Sequence, residues 1–388
     1  MPNIAAIDRL LRDATASGKI PGVVAMAHGP NGAIYEGAFG VRRLGEAAAV
    51  QTDTPFWIAS MTKAITAAAA MQLVEQGKLS LDGPAKEIVP GLANKQVLEG
   101  FSPDGTPQLR PARGEITLRH LMTHTAGFGY DTWNANLNRY HRDTGLPLPR
   151  TGKLIGLTAP LTFDPGTRWQ YSIAIDWIGR MVEAASGEDL DSYFQNHLFA
   201  PLGMQDSGFR LKPGIAERLV TRHQRRPDGT LEANPLIPNP NPEFFAGGGG
   251  LYSTAPDYMR FLRALLGGGM LDGNRILRPE TVTQIGQNQM GAIRVEKMPT
   301  QIPTLSNDAE LFPGVPKGWG LSFLINLEST STGRSAGGMA WAGINNTYQW
   351  LDPTRGTAGV LMTQILPFAD PTVLGLLDDF ERAVNDIG

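Results

Sequence analysis

Ala59-Ser60-Met61-Thr62-Lys63-Ala64-Ile65-Thr66-Ala67-Ala68-Ala69-Ala70-Met71-Gln72-Leu73-Val74-Glu75-Gln76-Gly77 is the run on which the reading of this chain turns. It is rich in alanine and lacks proline and glycine until Gly77, so a helix is expected over 60–77, closed by that glycine. Positions three apart on a helix share a face, which lets the Ser60 hydroxyl and the Lys63 ammonium meet. Ser60 in the first turn also presents a backbone N–H where helix amides lack internal acceptors, a favourable place for developing negative charge. A serine hydroxyl needs a base before it attacks a carbonyl, and a desolvated lysine can lose its proton and serve as one. The spacing alone is common, about one Ser-x-x-Lys per chain of this size, and a serine cap beside a surface lysine would read the same. Here it occurs once.

On the N-terminal side, Ile4, Ile7, Leu10 and Leu11 fall at helical spacing, so a helix is expected over 3–16. Strands are expected over 23–27 and 33–41, joined by the hairpin signal Gly29-Pro30-Asn31-Gly32. On the C-terminal side, helices are expected near 255–266 and 279–287, strands over 319–327, 335–342, 345–351 and 357–364, and a closing helix over 370–386. The middle differs: helical patterns at 117–124, 173–185 and 189–198 stand among long loops such as 100–115 and 135–170. Asn234 to Pro242 holds four prolines and reads as an irregular boundary. Gly247–Gly250, which follows, marks a close backbone approach or a sharp turn. The economical arrangement is an α/β (α+β) fold with one sheet assembled from both ends of the chain. The α/β region would comprise 1–85 and 245–388, and a mostly helical region 86–244.

The composition is that of a globular protein, with 41% hydrophobic and 18% charged residues in 388. A net charge of −3 supplies no basic field for nucleic acid or anionic lipid, so neither is expected as a partner. The absence of cysteine excludes disulfides, thiolate metal sites and cysteine nucleophiles. Asp8, Arg9 and Arg12 interrupt the N-terminal apolar residues, unlike a secretory signal, and the run Ala64–Val74 is too short to span a bilayer. A cytoplasmic protein is the expectation; oligomeric state stays open.

Two further stretches can carry chemistry. Tyr171-Ser172-Ile173 sits at a loop-to-helix junction, where a phenol can project into a cleft and relay a proton. Arg334-Ser-Ala-Gly-Gly-Met-Ala-Trp341-Ala-Gly343-Ile344 reads as a strand whose glycines admit a ligand close to the backbone. Three stretches are decoys. Gly333-Arg-Ser335-Ala-Gly337 matches a G-x-S-x-G elbow, but no helix pattern follows Ser335. His120 and His124 have metal-pair spacing but no Glu at 121 and no third ligand, so they read as structural. Gly247–Gly250 lacks the Lys-Ser/Thr of a phosphate loop.

In this order, the three pieces resemble the serine β-lactamase and penicillin-recognising family. Ser60-Met-Thr-Lys63 resembles its S-x-x-K motif, Tyr171-Ser-Ile173 the Tyr-x-Asn motif of class C β-lactamases, and Trp341-Ala-Gly343 stands where Lys-Thr-Gly would fall. Asp53–Ser60, Leu121–Gly127, Phe163–Gly166 and Gly247–Thr254 are similar too, so the likeness runs nearly the whole chain. Ile173 replaces the Asn and Trp341 the Lys. Loss of that fixed cation suits an uncharged, apolar substrate, and the Trp-x-Gly variant resembles family VIII carboxylesterases, close to lovastatin-type acyltransferases and 6-aminohexanoate-dimer hydrolases.

The resemblance implies a carboxylesterase acting on a small-molecule, short-chain ester through an acyl-enzyme, with no metal or cofactor. Ser60 would be the nucleophile, with Lys63 and Tyr171 as the acid–base pair, which of them takes the proton being left open. The backbone N–H groups of Ser60 and Ile344 would form the oxyanion hole. Trp341 and Gly343 would contact substrate, with Trp341 walling the pocket, and Phe128, Tyr130, Trp133, Phe244 and Phe245 are candidates for its lining. The alternatives are a β-lactamase or DD-peptidase, an acyltransferase of the same fold, and a ligand-binding homologue without turnover.

Overall fold

The structure, a computed structural model, describes residues 4–386. A seven-stranded, wholly antiparallel sheet forms its framework: β1 (Gly22–Gly29), β2 (Gly32–Gly40), β3 (Lys317–Trp319), β4 (Leu324–Asn326), β5 (Met339–Gly343), β6 (Thr347–Asp352) and β7 (Thr357–Met362), in the order β3-β4-β5-β6-β7-β1-β2. Ends distant in sequence meet where β1 pairs with β7, Val24 opposite Met362 and His28 opposite Ala358. The sheet from both termini is therefore as expected. β5, β6 and β7 are buried along their whole length, so both faces of the sheet are covered there.

Helices supply the cover. α1 (Ile4–Ala16) buries Ile7 and Leu11, and α5 (Pro371–Asn385) buries Val373, Leu377, Phe380 and Val384, in one shared cluster. Residue 3, the first of the expected N-terminal helix, lies outside the described residues. On the other side of the sheet lie α2 (Thr62–Glu75), α3 (Ala174–Ser186) and α4 (Ala255–Leu266). Every residue of α2 from Thr62 to Leu73 is buried, and it packs against α3. No helix among the described residues is long and apolar enough to cross a membrane.

Four segments depart from the sequence expectation. The stretch 100–115 contains most of a hairpin, Gln96–Phe101 against Pro107–Pro111; its first strand buries the adjacent Val97 and Leu98 and its second is largely exposed, so neither alternates with period two. Residues 135–170 hold a helix, Ala135–Thr144, capped by the Asn134 side chain on the Leu137 N–H and ended by Gly145 at φ 69°. The run 319–327 folds back on itself, because Ser322 takes φ 69° between β3 and β4. The strand expected over 335–342 begins only at Met339, after a turn at 335–338. Asn234–Pro242 is irregular, as its prolines require.

Candidate active site

Ser60 stands in a single turn, Ala59–Met61, that leads into α2. Ala59 is held at φ 45°, a region an L-residue avoids unless its surroundings enforce it. They do. The Thr62 hydroxyl donates to the Ala59 carbonyl at 2.6 Å and accepts from the Leu251 N–H at 3.1 Å. Tyr258 Oη donates to the Met61 carbonyl at 2.9 Å. Thr347 Oγ1 on β6 donates to the Ile58 carbonyl at 3.3 Å. The turn is thus clamped from α4, the sheet and the segment after the glycine run.

Lys63 is fully buried, and its Nζ meets three acceptors: Ser60 Oγ at 3.1 Å, Tyr130 Oη at 3.1 Å and the Gly248 carbonyl at 2.6 Å. Asp176, buried in the first turn of α3, accepts from the Gly248 N–H at 2.8 Å. A Cβ on Gly248 would lie 2.9 Å from Asp176 Oδ1, so only glycine lets this backbone pass between lysine and aspartate. Burial pushes the lysine down to about 7, against the opposing attraction of Asp176. The same burial pushes the Asp176 carboxyl up, opposed by Lys63 and the Gly248 N–H.

Tyr171 is buried beside them, with Lys63 Nζ 4.7 Å from its ring centroid. Trp341 Nε1 on β5 donates to Tyr171 Oη at 3.0 Å. Burial raises the Tyr171 phenol well above its ordinary value; the Ser60 and Trp341 side chains oppose that rise. Ser60, Lys63 and Tyr171 therefore converge. Trp341, expected as a pocket wall, is 4% exposed, gives its N–H to the phenol and packs its ring on Trp319 at 4.6 Å. Of the two decoy histidines, His124 is buried with Nδ1 2.9 Å from Ser172 Oγ and its ring edge-on to Tyr171.

The end of β5 approaches the Ser60 turn closely. A Cβ on Gly343 would lie 2.3 Å from the Ile58 carbonyl oxygen, so glycine is required for that approach. Ile344 follows immediately. Among the described residues, neither the Ser60 nor the Ile344 backbone N–H donates to a protein acceptor. Of the pocket candidates, Tyr130 and Trp133 join the cluster, the Trp133 ring packing on Tyr130 at 5.8 Å and on Tyr171 at 5.5 Å. The contacts of the others run elsewhere: Phe128 stacks on Trp177, Phe245 packs on Phe209, and Phe244 is buried in the core around α2 and α3. The Tyr130–Trp133 cluster has a further neighbour. The segment around 298–309 also lies against it, through Gln301 N–H to the Thr132 carbonyl and Trp133 Nε1 to Ser306 Oγ.

Sequence reasoning passed over Asp176 and the Gly248 carbonyl. The signal for the first was a carboxylate on the apolar face of a helix five residues beyond Tyr171. The second was visible only as a reason for glycine. Ser335, by contrast, lies in a turn before β5, and its backbone N–H donates to Asp352 Oδ2 at 2.7 Å. No helix follows it, so the elbow geometry is absent.

The β-lactamase family model matches residues 7–379. The chain belongs to the β-lactamase family. This family member is 32% identical to monacolin J acid methylbutanoyltransferase of Aspergillus terreus, over 98% of this chain and 95% of that protein. It is also 32% identical to a lovastatin esterase of Penicillium rubens, over 97% of each chain. Unliganded simvastatin synthase from Aspergillus terreus superposes with a TM-score of 0.84 at 31% identity, over 99% of this chain and 98% of that one. EstCE1, described as a hydrolase with promiscuous acyltransferase activity, shares the fold at 23% identity, with a TM-score of 0.77 over 98% of each chain. The likeness thus holds for the β-lactamase-fold serine enzymes. It does not single out family VIII esterases, and transferases are prominent among the named relatives.

Proposed function

We propose that this protein is a serine acyltransferase, passing a short acyl group from an ester or thioester donor to an alcohol through an acyl-enzyme on Ser60. The observation that carries the proposal is the 3.1 Å contact between Ser60 Oγ and a buried Lys63 whose amine is brought to about 7. A neutral lysine at hydrogen-bond distance removes the serine proton as Oγ attacks the acyl carbonyl. Tyr171 remains protonated near neutrality because burial raises it, so of the two groups Lys63 is the base and Tyr171 the donor to the departing oxygen or sulfur. The Trp341 N–H steadies the phenol oxygen while that proton moves. The free N–H groups of Ser60 and Ile344 suit an oxyanion hole, each donor being worth about 3 kcal/mol. Lys63 and Asp176 offset each other behind Ser60, and Asp131 beside Tyr130 is paired with Arg150, so uncharged substrate groups suit the Ser60 side of the site.

In the second half-reaction the acceptor hydroxyl attacks the acyl carbon, its proton returns to Ser60 Oγ through Lys63 and Tyr171, and the new ester leaves. Transfer is preferred to hydrolysis because the relatives named above include a methylbutanoyltransferase and simvastatin synthase. Hydrolysis is the second reading, supported by the likeness to a lovastatin esterase. The test follows product partition from one donor, a butyryl thioester, with increasing amounts of a bulky secondary alcohol. The proposal expects ester to replace free acid as the main product while thiol release continues. Free acid as the main product at every alcohol concentration would leave an esterase.

A further inference from the structure

Lys63 has three hydrogen-bond partners, and they differ in kind. The Gly248 carbonyl, at 2.6 Å, can only accept, whereas Ser60 Oγ and Tyr130 Oη, each at 3.1 Å, can accept or donate. A charged lysine has three hydrogens and satisfies all three as acceptors. A neutral lysine has two hydrogens and one lone pair. One hydrogen is committed to Gly248, so the other goes to one hydroxyl and the lone pair receives the proton of the other. Only the state in which Tyr130 accepts leaves the lone pair facing the Ser60 hydroxyl.

We infer that Tyr130 is a positioning residue for acylation: by accepting one Lys63 N–H, its hydroxyl turns the lysine lone pair onto Ser60. This rests on the assignment of Ser60 as nucleophile and Lys63 as base. As the bond between Ser60 Oγ and the acyl carbon forms, the serine proton moves to Lys63 Nζ. The resulting ammonium then meets the same three acceptors without rearrangement. The Tyr130 ring is fixed for this role by Trp133 and Tyr171, at 5.8 and 5.3 Å between centroids. The other groups facing the lysine are Tyr171 and His124 from the surrounding loops and Asp176 from α3.

Single-turnover acylation of Tyr130→Phe by p-nitrophenyl butyrate, followed from about pH 5 to pH 9, tests this, with the adduct mapped by mass spectrometry. Without the Tyr130 acceptor, the second lysine hydrogen turns to Ser60 Oγ and the lone pair points away. The plateau rate is expected to fall about ten- to a hundredfold. The charged lysine loses one of three partners while the neutral one can keep two, so the acidic limb moves down by about one pH unit. A role in packing alone would admit water and move that limb up, toward the ordinary lysine range. An upward shift, or a rate and limb equal to wild type, overturns the inference. If Ser60 carries no adduct in the wild type, the proposed function fails and takes the inference with it; a Ser60 adduct with an unaffected Tyr130→Phe variant sinks the inference alone. Should that variant fold poorly, 3-fluorotyrosine at position 130 keeps the shape with a weaker acceptor. It is expected to move rate and limb in the same directions by less, and no change would overturn the inference.

Discussion

Arg334 and Lys63 are both buried basic side chains, yet the acidic groups opposite them are arranged differently. Arg334 grips Glu381 of α5 through two direct hydrogen bonds, Nε at 2.6 Å and Nη2 at 2.8 Å, with both side chains buried. Lys63 makes no such pair: the Gly248 backbone stands between it and Asp176, one group bonded to its carbonyl and the other to its N–H. A bidentate guanidinium pair fixes the loop before β5 to α5. A lysine short of a direct counter-ion, and desolvated, is one whose proton can leave near neutrality. One ion pair is a fastening, and the separated one is a base.

The contrast can be broken by substitution. Lys63→Met removes the base and is expected to lower acyl turnover by at least about a thousandfold, with the fold kept, as judged by circular dichroism and a steady-state rate. Arg334→Ala does the reverse. It strands the Glu381 charge and costs about 3–5 kcal/mol of stability in chemical denaturation, while the folded fraction keeps its specific activity. Asp176→Asn sharpens the distinction further. The carboxylate holds the lysine pKa up, so its loss lowers that pKa and moves the acidic limb of acylation to lower pH, by up to about one unit. A limb that stays in place would mean Asp176 has no electrical hold on Lys63. The smallest effect is expected from Ser335→Ala, within about twofold of wild type in turnover, because Ser335 engages Asp352 through its backbone rather than its hydroxyl.

These two charge sites also mark what the sequence could and could not disclose. The spacing of Ser60 and Lys63 along one helix is local geometry, and so was legible, as were the strands at both ends that pair β1 with β7. Tyr171 was legible only as part of an ordered set of motifs. The Gly248 link between Lys63 and Asp176 joins residues far apart in the chain, and no local period encodes it. The same holds for Tyr130: an aromatic residue in a loop looks like pocket lining until its hydroxyl is found 3.1 Å from the lysine. Trp341 was noticed as a departure from a lysine, but its use as a donor to Tyr171 depends on how β5 meets the tyrosine loop. The hairpin 96–111 was missed because Val97 and Leu98 are buried side by side, without alternation, and the helix 135–144 because it buries Leu137 and His141 within an otherwise polar run.

The claim beneath all of this is that Ser60 takes up the acyl group once Lys63 has given up its proton. Rapid-quench peptide mapping with p-nitrophenyl butyrate across a range of pH measures it directly. The account predicts a butyryl mass on the peptide bearing Ser60, forming at a rate that falls about tenfold per pH unit below a midpoint near 7. A butyryl group on any other residue, or labelling of Ser60 whose rate ignores pH through that range, would contradict it.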